Sequence, residues 1–321
     1  MLFFQAILKL AGGVFISRDI ISIRDMNKEE IEKMFELAEK IEKMIERVKI
    51  LEIMKGKVLS LLFFEPSTRT KLSFETAMKK LGGETIGFES IESSSIAKGE
   101  SLKDMIKVVE KYCDIIVIRH FAEGAARFAA EVSEKPVINA GDGGNQHPTQ
   151  TLLDLYTMKK LKGDISNLNV TLFGDLKHGR VMRSLLYGLA MFNAKITLVS
   201  PPGLEMDKGI IEEVKEKFDA EIYSSNDAKE GIKSADVIYV CRLQKERFSD
   251  AFEAEKMAKA YKVTPELLEY AKSDVILLHP LPKTNEIDLM IDFLPIAKYY
   301  QQVAYGVPIR MACICYVMEN E

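Results

Sequence analysis

Short apolar runs, each ending in a polar or glycine-bearing turn that opens into a helical period, recur along this chain and restart once near its middle. The clearest is Val58-Leu59-Ser60-Leu61-Leu62, which reads as a buried strand. Phe74, Ala77, Met78 and Leu81 follow at helical spacing, and Gly82-Gly83 stops that helix. Further strands are predicted at 84–88, 114–118 and 136–140, with helices at 101–112 and 121–132. A glycine-rich turn, 141–147, leads into a helix with Pro148 in its first turn. The pattern restarts with a strand at 169–173 and a helix to about Phe192, then strands at 196–200, 220–224, 236–241 and 275–278. A helix from about Ile296 closes the chain. This alternation predicts an α/β protein with mostly parallel sheets flanked by helices. A length of 321 residues suits about two such domains.

Two stretches are less regular. Asn27 with Glu30 reads as a capping box for an amphipathic helix through Ile31, Met34, Ala38, Ile41, Ile45 and Val48. Residues 243–263 carry many charges without a clean period, which predicts a mobile loop with some helix.

Composition narrows the classes of function. With 47% hydrophobic and 29% charged residues the chain reads as globular, and a net charge of −4 gives no global basic field for nucleic acid. Cys113, Cys241, Cys313 and Cys315 lie on apolar segments without C-x-x-C spacing, so reduced core thiols in a cytoplasmic protein are expected. Residues 1–18 read as an extension outside the fold. They are too short to span a membrane and lack a signal-peptide pattern, so no membrane association is expected.

The polar clusters fall at one edge of the predicted sheets. Ser67-Thr68-Arg69-Thr70 occupies a strand-to-helix turn, where unpaired N–H groups and the helix dipole favour an anion. An ordinary serine N-cap beside a solvent-facing arginine is the competing reading. Arg69, Arg119, His147, Gln150, Arg180, Arg242 and Leu281-Pro282 all follow the C-terminal ends of predicted strands, the edge where open parallel sheets bind ligands. Lys98, in the serine-rich loop 89–100, could swing in. Four arginines and a lysine in a net-negative chain imply a ligand with several negative charges. Singly, Arg119 could be a surface residue, His147 a helix cap, and Arg180 and Arg242 ion-pair partners. Asp142 and Asp175 read as turn residues. No Ser-His-Asp set, metal-ligand spacing, P-loop or G-x-G-x-x-G stands out, so no covalent nucleophile, metal or cofactor is expected.

Together, Ser67-Thr68-Arg69-Thr70, His147-Pro148-Thr149-Gln150 and His279-Pro280-Leu281-Pro282 resemble the aspartate/ornithine carbamoyltransferase family, from about Asp19 to the C-terminus. Lys98-Gly99-Glu100, Gly174-Asp175-Leu176-Lys177 through Arg180, and Arg242-Leu243-Gln244 are similar to its aspartate branch. Thr149 and Pro280 stand where the ornithine branch usually carries cysteines.

The resemblance implies a carbamoyl-phosphate domain of 19–148 with about 300–321 packing back on it, and an aspartate domain of 149–299. It implies that Ser67, Thr68, Arg69 and Thr70 hold phosphate, and that Arg119, His147 and Thr70 polarise the carbamoyl oxygen. Gln150 and the backbone of Leu281 and Pro282 would take the carbamoyl NH2. Arg180, Arg242 and Gln244 would grip aspartate, and Ser94 and Lys98 would reach from a neighbouring subunit of a homotrimer. Trimers joined by a separate regulatory chain are compatible with it. The implied reaction makes N-carbamoyl-L-aspartate and phosphate, the committed step of pyrimidine synthesis. Transfer to another amino acid, or a catalytically silent scaffold, are the alternatives. The chain departs from the usual pattern at His178, Val181, Arg183 and Lys283.

Overall fold

The computed structural model describes residues 19–88, 99–244 and 251–319. They form two compact units, one running to Leu153 and taking up the chain again from Tyr305, the other spanning Asp154–Ala304.

The first unit holds a four-stranded parallel sheet of β1 (Val58–Phe63), β2 (Glu84–Phe88), β3 (Ile115–His120) and β4 (Val137–Asp142), in the order β2-β1-β3-β4. The chain steps outward from β1 to β2, then crosses back to β3. The direction of strand addition therefore reverses between β1 and β3. On one face Leu62, Phe64, Ile116 and Ile118 pack with Met105 and Ile106 of α3 (Leu102–Val109) and Ala126 and Ala129 of α4 (Ala125–Val132). The open edge of β4 is covered by the incoming chain: Ile20 bridges Ile138, and Val137 N–H donates to Asp19 Oδ1 at 2.8 Å.

Before the sheet, α1 (Lys28–Ile45) begins at a true capping box, with reciprocal Asn27–Glu30 hydrogen bonds of 2.9 Å. It buries Ile31, Met34, Phe35, Ala38 and Ile41. It stops at Ile45, earlier than the periodicity predicts, and Val48 is exposed. Helix α2 (Thr68–Lys80) joins β1 to β2. Helix α4 starts at Ala125 rather than Phe121. Gly124 sits at φ +81° and its N–H is taken by Asp142 Oδ2, which breaks the helical path.

The second unit holds a five-stranded parallel sheet: β5 (Asn169–Gly174), β6 (Lys195–Val199), β7 (Ile222–Ser225), β8 (Val237–Cys241) and β9 (Ile276–Leu278), in the order β7-β6-β5-β8-β9. Here the reversal falls between β5 and β8. Phe173, Val199, Ile238, Val240 and Leu277 centre its core. Helix α5 (Pro148–Lys162) precedes this sheet and begins in the first unit, and between the strands lie α6 (Arg180–Met191), α7 (Lys208–Phe218), α8 (Ala228–Ile232), α9 (Ala251–Ala260) and α10 (Pro265–Leu268). So the described part of 243–263 is mostly helix rather than loop.

The final helix, α11 (Tyr299–Val317), returns to the first unit. Arg310 Nη1 donates to Ser73 Oγ at 2.9 Å and its guanidinium lies 5.2 Å from the Phe74 ring centroid. Tyr316 reaches Glu30 at 3.4 Å, and Ile309, Met311, Ala312, Cys313, Ile314 and Val317 are buried.

Candidate functional site

In the first unit the turn from β1 into α2 carries Ser67 as N-cap residue, but its side chain does not cap the helix. Its hydroxyl instead pairs with Thr70 Oγ1 at 3.0 Å. The competing reading of Ser67 as an ordinary side-chain N-cap therefore fails, and the first-turn N–H groups keep their affinity for an acceptor. Thr70 is buried, Thr68 and Arg69 are exposed. Partial desolvation still lowers the pKa of the Arg69 guanidinium.

Arg119 is the penultimate residue of β3, across from Phe63, and is only 8% exposed. Glu65 Oε1 accepts from Nη2 at 2.6 Å, and the Ala140 carbonyl accepts from Nη1 at 3.0 Å. One fork therefore ties the ends of β1, β3 and β4 together and fixes its own rotamer. Beside it, burial lowers the pKa of His120, whose Nδ1 accepts from Ala122 N–H at 2.9 Å.

After β4, Asp142 organises the glycine-rich turn. Its carboxylate accepts from Asn139 Nδ2 and from the N–H groups of Gly124 and Gln146, and from Asn145 Nδ2. The turn delivers His147 and Gln150, both buried, at the start of α5. Asp142 is thus more than a turn former: its buried side chain holds that loop in one shape through four hydrogen bonds.

The second unit repeats the device. Gly174 ends β5 at φ +118°, and a Cβ there would lie 2.2 Å from the Cys241 carbonyl oxygen, so no other residue fits. The fully buried Asp175 follows. It accepts from His178 N–H at 3.0 Å and Gln244 N–H at 3.3 Å, and both its oxygens lie 3.1 Å from His178 Nδ1. Gln244 Nε2 donates to the His178 carbonyl at 3.1 Å. These bonds join the loop after β5, which presents Arg180 at the start of α6, to the loop after β8, which carries Arg242. Arg180, Arg242 and Gln244 are all half-buried.

After β9, Leu281 stands at φ +58°, a left-handed conformation costly for a leucine, and the Leu281-Pro282 peptide is cis. Leu281 N–H donates to His279 Nδ1 at 2.8 Å. His279 Nε2 lies 2.9 Å from Glu286 Oε1. Burial alone would raise the Glu286 pKa, but the bonds from His279 and Thr284 outweigh it and hold it at about 2. Lys283 is committed to Asp292 at 2.8 Å.

Each unit therefore places its arginines astride its own reversal of strand order. Arg69 and Arg119 flank the β1/β3 reversal, and Arg180 and Arg242 the β5/β8 reversal. That is where open parallel sheets leave a crevice for ligands. Ser94 and Lys98 lie outside the described residues. Among the described residues no group of three or more His, Cys, Asp and Glu side chains could hold a metal. Burial pushes the thiols of Cys241, Cys313 and Cys315 up to about 12, far from a nucleophile's range. Sequence reasoning misses Glu65 and takes Asp142 and Asp175 for turn residues only. The only sign of them was an acidic residue inside each ligand-facing turn.

Comparison with known proteins agrees with this layout. The carbamoyl-P binding domain model of the aspartate/ornithine carbamoyltransferases matches residues 18–160, and their Asp/Orn binding domain model matches 166–317. The aspartate carbamoyltransferase catalytic subunit of Archaeoglobus fulgidus is 52% identical over 94% of this chain and 99% of its own. That of Methanopyrus kandleri is 50% identical over 94% and 97%. The solved catalytic subunit of M. jannaschii aspartate transcarbamoylase superposes with a TM-score of 0.89, at 48% identity, covering 95% of this chain and 99% of that one. The Trypanosoma cruzi aspartate transcarbamoylase, solved with carbamoyl phosphate and aspartate, is 35% identical at a TM-score of 0.87, covering 93% and 96%. With both domain models laid end to end along it and relatives half-identical over nine-tenths of its length, the chain belongs to the aspartate/ornithine carbamoyltransferase family.

Proposed function

We propose that this chain transfers the carbamoyl group of carbamoyl phosphate to the amine of L-aspartate, giving N-carbamoyl-L-aspartate and phosphate, the committed step of pyrimidine synthesis. The observation that carries the reading is the pair of arginines at each strand-order reversal. Carbamoyl phosphate brings about two negative charges and aspartate two carboxylates, which guanidinium forks match.

In this reading Ser67, Thr68, Arg69 and Thr70 hold the phosphate, and Arg69 takes up charge growing on it as it leaves. Arg119, His147 and Thr70 polarise the carbamoyl oxygen. Gln150 and the backbone of Leu281 and Pro282 take the carbamoyl NH2. Arg180, Arg242 and Gln244 hold the aspartate carboxylates. The amine nitrogen attacks the carbonyl carbon and forms a C–N bond. The tetrahedral oxyanion then collapses and breaks the bond to the phosphate oxygen. The amine proton passes to the leaving phosphate, so no protein base is required. Each preorganised donor at the oxyanion is worth about 3 kcal/mol, and orientation of two bound substrates about 7–11 kcal/mol.

We further place the chain in a homotrimer in which Ser94 and Lys98 complete the neighbouring subunit's site, with trimers open to joining through a separate regulatory chain. Buried, unpaired cysteines support a cytoplasmic location, and no described helix is long and apolar enough to cross a membrane. The test is an assay for carbamoyl aspartate from carbamoyl phosphate, run with L-aspartate and L-ornithine in parallel. Turnover with aspartate is expected. Carbamoylation of ornithine alone, or of neither, refutes the reading.

A further inference from the structure

Behind the Leu281-Pro282 turn runs a buried chain of hydrogen bonds, all within the second unit. Tyr239, in β8, donates its hydroxyl to Asp154 Oδ2 at 2.8 Å. Gln302, in α11, donates Nε2 to Asp154 Oδ1 at 2.6 Å. The Gln302 Oε1 accepts the backbone N–H of His279 at 3.0 Å. His279 Nδ1 then accepts the N–H of Leu281 at 2.8 Å. Tyr239, Asp154, Gln302 and His279 are each no more than 1% exposed.

The direction of these bonds carries information. Because His279 Nδ1 accepts, the neutral ring carries its proton on Nε2, which lies 2.9 Å from Glu286 Oε1. The ring is thereby held in one tautomer and one orientation. In that orientation Nδ1 takes the N–H of Leu281, which stands left-handed, a conformation that a leucine retains only when its surroundings impose it. A buried carboxyl group, an amide and a phenol are a costly way to fill a core if packing were their only task.

We infer that Gln302 and Asp154 are positioning residues, which act through His279 to set the Leu281 backbone against the carbamoyl amide of the substrate. The inference rests on the proposed function, which gives that backbone its ligand. The relay touches the amide end of carbamoyl phosphate and not its phosphate. Its loss should therefore separate two ligands that share a phosphate.

The experiment uses the full chain, with inorganic phosphate and carbamoyl phosphate as calorimetric probes and carbamoyl aspartate formation as the rate. In Gln302→Met the phosphate Kd is expected to stay within about twofold. The carbamoyl phosphate Kd should rise about tenfold and kcat fall at least tenfold. Gln302→Glu alone sets two carboxyl groups face to face and should be worse. Adding Asp154→Asn reverses that hydrogen bond while leaving oxygen acceptors for His279 N–H and the Tyr239 hydroxyl. The Asp154→Asn/Gln302→Glu double variant should then regain a third or more of the wild-type kcat, and it decides the matter if Gln302→Met does not fold. Equal weakening of both probes, unchanged values, or a folded double variant no better than Gln302→Glu overturns the inference. Failure of every variant to fold does so too, since the relay would then serve stability alone. A wild-type chain that makes no carbamoyl aspartate refutes the proposed function itself. A wild-type chain that turns over beside an unaltered Gln302→Met protein refutes only this inference.

Discussion

Replacing Arg119 by lysine keeps the positive charge but destroys the fork. In the wild type, Nη2 serves Glu65 at 2.6 Å and Nη1 serves the Ala140 carbonyl at 3.0 Å. A single ammonium cannot hold both partners and also meet a carbamoyl oxygen with the same alignment. Two costs follow, and they are separable. The Ala140 carbonyl lies on a fully buried residue, and leaving it unsatisfied costs about 1–3 kcal/mol. The Glu65 side chain is 31% exposed, so water replaces much of its lost partner and adds about 1 kcal/mol at most. At roughly 2–4 °C per kcal/mol for domains of this size, the melting temperature should fall by several degrees. The chemical cost is larger: a displaced oxyanion donor lowers kcat by about 10²–10³. Melting by calorimetry and initial rates at saturating carbamoyl phosphate measure the two. Glu65→Gln is the control, since it keeps an acceptor for Nη2 and should lose less than tenfold in kcat. If Arg119→Lys keeps kcat within threefold, the strand-end fork does not stabilise the transition state.

Arg242→Ala should raise the aspartate KM at least tenfold while calorimetric carbamoyl phosphate affinity stays put; equal weakening of both ligands would contradict the division of labour between units. Lys98→Ala and Arg69→Ala should each be nearly inactive alone, yet mixed and reassociated subunits should recover a minority of sites; verified hybrids as dead as their parents would place Lys98 in its own chain's site. Glu286, held at about 2 when folded against an ordinary 4.5, contributes stability that is complete above about 4.5 and is lost as pH falls towards 2. Glu286→Gln should therefore flatten the acid limb of a denaturation curve, and an unchanged slope between pH 4.5 and 2 would reject that account.

Much of this was legible in the sequence because it is local. Val58–Phe63 and Val237–Cys241 announce themselves as apolar runs, and the turns after them announce ligands by their polar side chains. The turn at Ser67 falls where the sequence predicts a strand-to-helix turn, but nothing local says that its hydroxyl pairs with Thr70 rather than capping the helix, the competing reading. The order of strands could not be read, because pairing β1 with β3 and β5 with β8 depends on contacts between segments far apart in the chain. Glu65 and Arg119 were invisible as a pair for the same reason. Asp142 and Asp175 look like any turn aspartate until their burial is known. The Asp154–Gln302 bond joins α5 to α11, a distance that no periodicity spans.

The return of α11 to the first unit has a consequence for the timing of synthesis. The second unit is one unbroken stretch, Asp154–Ala304, and all five of its strands are synthesised before α11 begins. The first unit is different. Its Phe74 face waits for Arg310, and its Glu30 helix for Tyr316, residues made after the whole second unit. At ~5–20 residues per second the intervening stretch alone takes on the order of ten seconds to make. Through that interval the half of the chain born first still lacks the part of α11 that covers it, while the half born second has all five of its strands before α11 begins. The segment that completes the first unit is thus made after every strand of the second.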